Sequence, residues 1–245
     1  NLKLLTLADE KRDLLQDFGV DYSLFLDFTY ELASKSSRSF IEYLAKNFGV
    51  KVLLVGYDHR FGSDKDSSLA DYIQFGEEYG VKVICCDAYN EGEVMVSSSK
   101  VRAALISGDV KQAKSLLVYE YFVSGTVVHG SKIGRSIGFP TANLQVDNLK
   151  LLPAEGVYAV GVRVEGDETI YSGMLNIGTR PTVDGVNRTV EVHIFDFNND
   201  LYGAKVTLFF KDYVRKERKF GDLTELKRQL NDDFSTVKSI FLQNS

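Results

Sequence analysis

The stretch "SGDVKQAKSLLVYEYFVSGTVVHG", residues 107–130, changes character at its middle. Its first part ends a region that reads as one or two helices. Its last part, "YFVSGTVVHG", is rich in β-branched and aromatic residues and closes on a glycine, as a strand does. The change falls near residue 118, and the text on either side keeps to its own style.

From Asn1 to about Val118, helical and strand patterns alternate. "LADEKRDLLQDFG" has helical spacing, with Gly19 as its stop. "VDYSLFLDF", residues 20–28, is a short apolar run of the kind found in buried strands. "SSRSFIEYLAKNFG" returns to helix, "VKVLLVGYD" to strand, "SSLADYIQFGEEYG" to helix and "VKVICCDAY" to a buried strand. Strands alternating with helices imply parallel βαβ units and a Rossmann-like layered sheet. After Tyr119 come all three prolines and twelve of the twenty glycines, so turns dominate the connections. Five strand-like runs follow one another here: "YFVSGTVVHG", "GVYAVGVRV", "TIYSGMLNIG", "RTVEVHIFDF" and "AKVTLFFKDYV". Strands at this spacing predict an antiparallel barrel. Leu223, Leu226, Leu230 and Phe234 then recur at three or four residues, which predicts a terminal helix packed on the barrel by one face. The domains expected are 1–118 and 119–245.

Composition limits the function classes. The 245 residues are 44% hydrophobic and 26% charged, as in a soluble globular protein, and are enough for two domains. No apolar run is long enough for a membrane span. A net charge of −5 argues against a general nucleic-acid binder. Cys85 and Cys86 are adjacent in a strand and so point to opposite faces, which argues against a bridge between them. Two reduced thiols in a cytoplasmic protein are expected. The chain starts at Asn1 and reads as the later part of something longer.

Several clusters carry chemistry. In "GRSIGFPTAN", Gly134 and Gly138 allow close backbone approach to an anion, and Arg135 adds charge. Pro140 stiffens the approach to Thr141 and Asn143, which share a side if the segment is extended. Their oxygens suit Mg²⁺, although a Gly-Pro turn with local capping gives the same composition. In "RTVEVHIFDF", Val190, Val192 and Ile194 face one way and Glu191 and His193 the other. If the valines fill the barrel, Glu191 can serve as a base; an ordinary solvated strand face is the alternative. "MLNIGTRPT" offers Asn176, Arg180 and Pro181, or only a tight hairpin. "DYVRKERKF" brings Arg215, Lys216, Arg218 and Lys219, either a solvated face or a basic mouth for a phosphorylated ligand. In the first half, "VGYDHRFG" follows a strand end and carries Asp58. Ser97, Ser98 and Ser99 open a helix that also holds Arg102, a pattern suited to phosphate or to plain capping. His59, His129 and His193 are too scattered to suggest a metal site by spacing.

Taken in order, "VGYDHRFG", "VSSSKVR", "GRSIGFPTANL", "NIGTRPT", "EVHIFDF" and "LTELKRQL" resemble the bacterial bifunctional riboflavin kinase/FMN adenylyltransferase, or FAD synthetase, family. The resemblance covers nearly the whole chain. It implies a six-stranded barrel with a C-terminal helix that transfers the γ-phosphoryl of ATP to riboflavin, giving FMN. It implies Thr141 and Asn143 at the Mg²⁺-ATP site, with Gly134, Arg135 and Gly138 around the phosphates. It implies Glu191 as general base, and Arg215 and Asn176 on the flavin side. The N-terminal half resembles the module that converts FMN to FAD, with Asp58, Ser97, Ser98, Ser99 and Arg102 around ATP.

That module departs from the family pattern. No His-x-x-His-type phosphate motif occurs, and no histidine precedes His59. Residues 1–118 are therefore expected to form an incomplete adenylyltransferase domain, with little FAD made by these 245 residues. The alternatives are a fully bifunctional enzyme whose first segment lies outside these residues, and a non-catalytic flavin- or nucleotide-binding regulator. Oligomeric state is not legible in the sequence.

Overall fold

The structure is a computed structural model that describes residues 3–64, 66–88, 90–91, 94–130, 133–182 and 185–243. Its first elements are α1 (Ala8–Asp17), α2 (Tyr30–Ala33), α3 (Ser37–Phe48), β1 (Val52–Gly56), α4 (Leu69–Tyr79), β2 (Lys82–Cys86), β3 (Asn90–Glu91) and β4 (Val94–Met95). Then come α5 (Ser98–Ser107), α6 (Val110–Leu117), β5 (Phe122–Val128), α7 (Ile133–Ser136), β6 (Ala142–Val146) and β7 (Gly156–Val164). The last are β8 (Ile170–Thr182), β9 (Gly185–Ile194), β10 (Lys205–Arg215) and α8 (Leu223–Gln243).

Backbone contacts divide the chain into two compact units, Arg12–Val96 and Asn1–Lys11 with Ser97–Ser245. In the first unit β1 and β2 run parallel, in register from Val52↔Lys82 to Gly56↔Cys86, with α4 as the crossover. The helices begin and end where the sequence provides caps. Ser36 accepts from the Ser39 amide, and Gly49 closes α3 in the left-handed conformation. Ser68 and Asp71 form a capping box on α4, and Gly80 closes it. Ile41, Val55, Tyr72 and Val81 make the core of this unit.

Two expectations for this unit do not hold. Residues 20–28 form no strand: they pair with neither β1 nor β2, and Tyr22, Leu24, Phe25 and Phe28 are exposed. An apolar run becomes a strand only when a neighbour accepts its backbone groups. Nor is β2 buried. Cys85 and Cys86 are both exposed, as are Val52, Leu54 and Ile84. α3 and α4 cover one face of a two-stranded sheet and leave the other open.

In the second unit six antiparallel strands close into a barrel in the order β10-β5-β6-β9-β8-β7. The sixth strand, β6, comes from "ANLQV", just after Pro140. Leu175, Ile177, Val192, Val206 and Leu208 are fully buried and fill the interior. α8 packs on the outside, where Leu230 and Phe234 join Phe139, Val157, Met174 and Val237 in one apolar cluster. Leu223, expected on the packed face, is exposed instead.

The compact units do not break at residue 118, because α5 and α6 pack with the barrel. The Ala154 amide donates to the Leu105 carbonyl at 2.9 Å, and Lys111 pairs with Asp212 of β10 at 2.6 Å. Residues 3–10 are tied to the same unit by a buried ion pair. The Lys150 ammonium donates to Glu10 at 2.6 Å and to the Leu5 carbonyl at 2.7 Å, over the rings of Tyr121 and Phe122. Burial lowers the Lys150 pKa, against the pull of Glu10. Replacing only one partner leaves the other buried and uncompensated, which costs about 3–5 kcal/mol. Lys150→Met should therefore raise amide exchange in residues 3–10 and 147–151 by roughly 10²-fold or more, and adding Glu10→Leu should recover much of the loss. Parent-like exchange in Lys150→Met would show that the pair does not hold the segment.

Candidate active site

Strand alternation sets the site. Val190, Val192 and Ile194 are buried, so Glu191 and His193 between them face outward. On the same face Glu191 stands opposite Asn143 of β6 and opposite Asn176 of β8, and Asn176 stands opposite Val157 of β7. Directly opposed side chains lie about 4.5–5.5 Å apart at Cβ. The outer wall thus presents an amide, a carboxylate and an amide in one row, followed by an apolar residue.

Glu191, Asn176 and Val157 of this row line a cavity of ≈ 330 Å³. Phe139, Met174, Val157, Leu226 and Leu230 give it apolar walls. Gly134, Thr141, Asn176, Glu191, Arg215 and Arg218, all singled out in the sequence, line it. A second cavity of ≈ 340 Å³ adjoins Arg135, Pro140, Asp200 and Tyr202. Thr141 lines both, so it marks the place where contents of the two cavities would meet.

The turn before Thr141 is built by its glycines. The Phe139 amide donates to the Gly134 carbonyl at 2.8 Å, and a Cβ on Gly134 would stand 2.1 Å from the Phe139 carbonyl oxygen. Gly138 takes φ +90°, a conformation that L side chains rarely adopt. The chain then extends into β6, where Asn143 packs against Gly130 so closely that a Cβ there would overlap its amide. Thr141 and Asn143 are two residues apart on an extended segment and so share a side. Both side chains carry oxygens of the hard type that Mg²⁺ prefers. Among the described residues no group of three or more His, Cys, Asp or Glu stands together. A cation at Thr141 and Asn143 would draw its remaining ligands from water or phosphate.

The charged run at the end of β10 is engaged with α8. Arg215 donates to both carboxylate oxygens of Asp233, at 2.8 Å and 2.7 Å, and Gln229 donates to Asp233 at 2.9 Å. Arg218 pairs with Glu225 at 2.6 Å and lies over the Phe220 ring. Arg215 and Arg218 both line the apolar cavity, while Lys216 and Lys219 are exposed. Of Arg180 and Pro181 only the backbone is described, paired with Asn187 and Val186.

Asp233 escaped the sequence reading, and His193 was given a strand face there but no role. His193 Nδ1 lies 2.7 Å from the Pro140 carbonyl, and the ring meets Phe139 edge-on. Burial lowers its pKa, although the Pro140 contact pulls the other way. Neither residue belongs to a recognisable spacing, because its partner, the Pro140 turn for His193 and β10 for Asp233, is distant in sequence.

The remaining candidates are not among the residues that line this cavity. Ser97 caps α5 by accepting from the Lys100 amide, Ser98 and Ser99 form its first turn, and Arg102 donates to the Lys3 carbonyl. Asp58 lies in the turn after β1, within the Arg12–Val96 unit. That unit has its own cavity of ≈ 420 Å³, lined by Phe28, Phe40, His59, Arg60 and Phe61. His129 meets the Tyr202 ring at 4.0 Å, tilted by 38°.

A closed six-stranded barrel with a helix over its outer-face cavity, joined in one chain to an α/β unit, is a two-module architecture. The riboflavin kinase family pattern matches residues 117–241 and the FAD synthetase pattern residues 1–100. The chain is 40% identical to the bifunctional riboflavin kinase/FMN adenylyltransferase of Escherichia coli K12, covering 97% of this chain and 75% of that protein. It is 34% identical to the Bacillus subtilis protein of the same name, covering 94% and 73%. The chain belongs to the bifunctional riboflavin kinase/FMN adenylyltransferase family. It carries that enzyme family's kinase module and its FAD synthetase module. A crystal structure described as a macrolide-efflux protein from Streptococcus pneumoniae has a TM-score of 0.86 and 33% identity, covering 96% of this chain and 75% of that one. Its description belongs to that protein. Among the described residues of this chain no helix is long and apolar enough to cross a membrane.

The Arg215–Asp233 pair generates a prediction. Asp233 is 2% exposed at its side chain and Arg215 20%. Asp233→Asn should lower stability by about 1–3 kcal/mol and raise amide exchange along residues 226–237 more than in β5. Unchanged exchange in α8 would show that the pair does not fasten the helix.

Proposed function

We propose that residues 119–245 form a riboflavin kinase that transfers the γ-phosphoryl group of ATP to the terminal ribityl hydroxyl of riboflavin. The observation that carries this reading is the pair Glu191–Asn176 on the outer barrel wall, which lines an apolar cavity, with Asn143 opposite Glu191 on β6. The apolar walls suit a flat heteroaromatic ring, and the more polar cavity on the other side of Thr141 suits a nucleotide.

In this mechanism Asn176 orients the ribityl chain, and the Glu191 carboxylate takes the proton of the attacking hydroxyl. The hydroxyl oxygen bonds to the γ-phosphorus while the bond to the bridging oxygen breaks, and ADP leaves with that electron pair. Thr141 and Asn143 would hold Mg²⁺ together with the nucleotide phosphates, and the ion would supply positive charge against the developing negative charge. The amides of the Gly134–Gly138 turn, with Arg135, steady the phosphates. Arg215 acts on the flavin side through its place in the cavity wall. Helix α8 keeps water from the reacting atoms.

The same reading sets the module boundary near residue 118 and assigns Ser97, Ser98, Ser99, Arg102 and Asp58 to nucleotide handling in the FAD synthetase module. It also puts ATP, riboflavin and FMN among the ligands, in a cytoplasmic protein.

Purified chain incubated with riboflavin, ATP and Mg²⁺ should yield FMN on chromatography, and well-folded protein that yields none would sink the proposal. Glu191→Gln should retain both substrates and lose turnover by roughly 10²–10⁴-fold, because the amide keeps the shape and removes the basicity. Turnover within a few-fold of the parent would return Glu191 to an ordinary strand position. Thr141→Ala or Asn143→Ala should weaken Mg²⁺-ATP binding in calorimetry more than riboflavin binding. Parent-like Mg²⁺-ATP affinity in both variants would refute the metal assignment.

A further inference from the structure

The Gly-Phe-Pro-Thr turn has few ways to be held. β6 begins at Ala142, opposite Val192, so residues 139–141 precede the ladder. Pro140 has no N–H, and its carbonyl is the only backbone hydrogen-bonding group it owns. That carbonyl is met by His193 Nδ1 at 2.7 Å. A carbonyl only accepts, so Nδ1 carries the hydrogen and donates it. The same imidazole meets Phe139 edge-on at 5.3 Å and Phe195 at 5.6 Å. Phe139 and Phe195 in turn pack on Phe234 of α8. His193 is two residues from Glu191, on the same face of β9, and both line the apolar cavity.

We propose that His193 is a positioning residue: its Nδ1–H, donated to the Pro140 carbonyl, holds the Phe139–Thr141 turn against β9 and so fixes Thr141 in the cavity that Glu191 lines. The significance for catalysis rests on the kinase reading above; the holding of the turn does not. Packing alone would not supply this. The Phe139 ring contact fixes a side chain, whereas the bond to Pro140 fixes the backbone one residue before Thr141. A turn released from β9 would still fold, but it would present Thr141 in many positions, and Mg²⁺-ATP binding would bear the entropic cost of ordering it.

The test separates donor from ring. His193→Phe keeps an aromatic ring beside Phe139 and removes the donor. His193→Asn supplies an amide N–H near the Nδ1 position. With the full chain, His193→Phe should raise amide exchange across residues 134–141 by about ten-fold, the effect of one net hydrogen bond, and leave β7 and β10 as in the parent. Its KM for Mg²⁺-ATP should rise by about ten-fold while that for riboflavin stays within about two-fold. His193→Asn should recover most of both effects. Parent-like exchange in His193→Phe would overturn the proposal. So would equal rises in both KM values with loss of protection throughout the barrel, the mark of a merely structural residue. A parent protein that forms no FMN would count against the kinase reading alone, and the exchange comparison would still decide whether His193 holds the turn.

Discussion

β10 closes the barrel, pairing with β5 along one edge and β7 along the other. Once the ladder is closed, no strand can shift by one residue without turning its apolar side chains out of the interior. Closure therefore fixes which side chains face the lumen and which face α8. Val190, Val192 and Ile194 are held buried by this constraint, and Glu191 is held out of the barrel by the same constraint. The site is the polar remainder of a strand whose apolar half makes the core. Core and site are thus coupled: a register slip that damaged one would remove the other.

The rest of the barrel unit adjusts access to that outer wall. α8 covers it by apolar packing and is fastened by Asp233 to Arg215 at the end of β10. The glycine turn bounds it from the β6 side and meets β9 through His193. Thr141 separates an apolar cavity from a more polar one. Each boundary uses a different force: hydrophobic burial, a buried ion pair and a single directed hydrogen bond. The three differ in strength, so the glycine turn is the part expected to yield first when ligands enter or leave.

Much of this was legible in the sequence. Ser36 with Gly49, and Ser68 with Gly80, bounded α3 and α4 because capping is local chemistry. The alternation in "RTVEVHIFDF" assigned Glu191 its face for the same reason. What failed was non-local. "VDYSLFLDF" has the composition of a buried strand, yet nothing in nine residues says whether a neighbouring strand accepts it. Cys85 and Cys86 were read as buried because β2 is apolar, but burial depends on what covers a sheet. "ANLQV" was not read as a strand because a proline precedes it and its apolar residues are few. Barrel pairing on both sides makes it one. The contacts of His193 and Asp233 were missed because their partners lie 53 and 18 residues away. The resemblance to a known family implied roles for Thr141, Asn143 and Arg215 that periodicity alone left open. For Arg215 the fold adds a buried carboxylate partner that no local pattern announced.

The central claim is that the outward carboxylate of β9 meets the hydroxyl that is phosphorylated. A crystal structure of the chain with riboflavin and a non-hydrolysable ATP analogue measures this directly, as the distance from the terminal ribityl oxygen to the nearer Glu191 carboxylate oxygen. The account predicts hydrogen-bond contact, about 2.6–3.2 Å, with the isoalloxazine ring against the apolar wall under α8. A ribityl chain directed away from β9, with no water linking its terminal oxygen to Glu191, would contradict it.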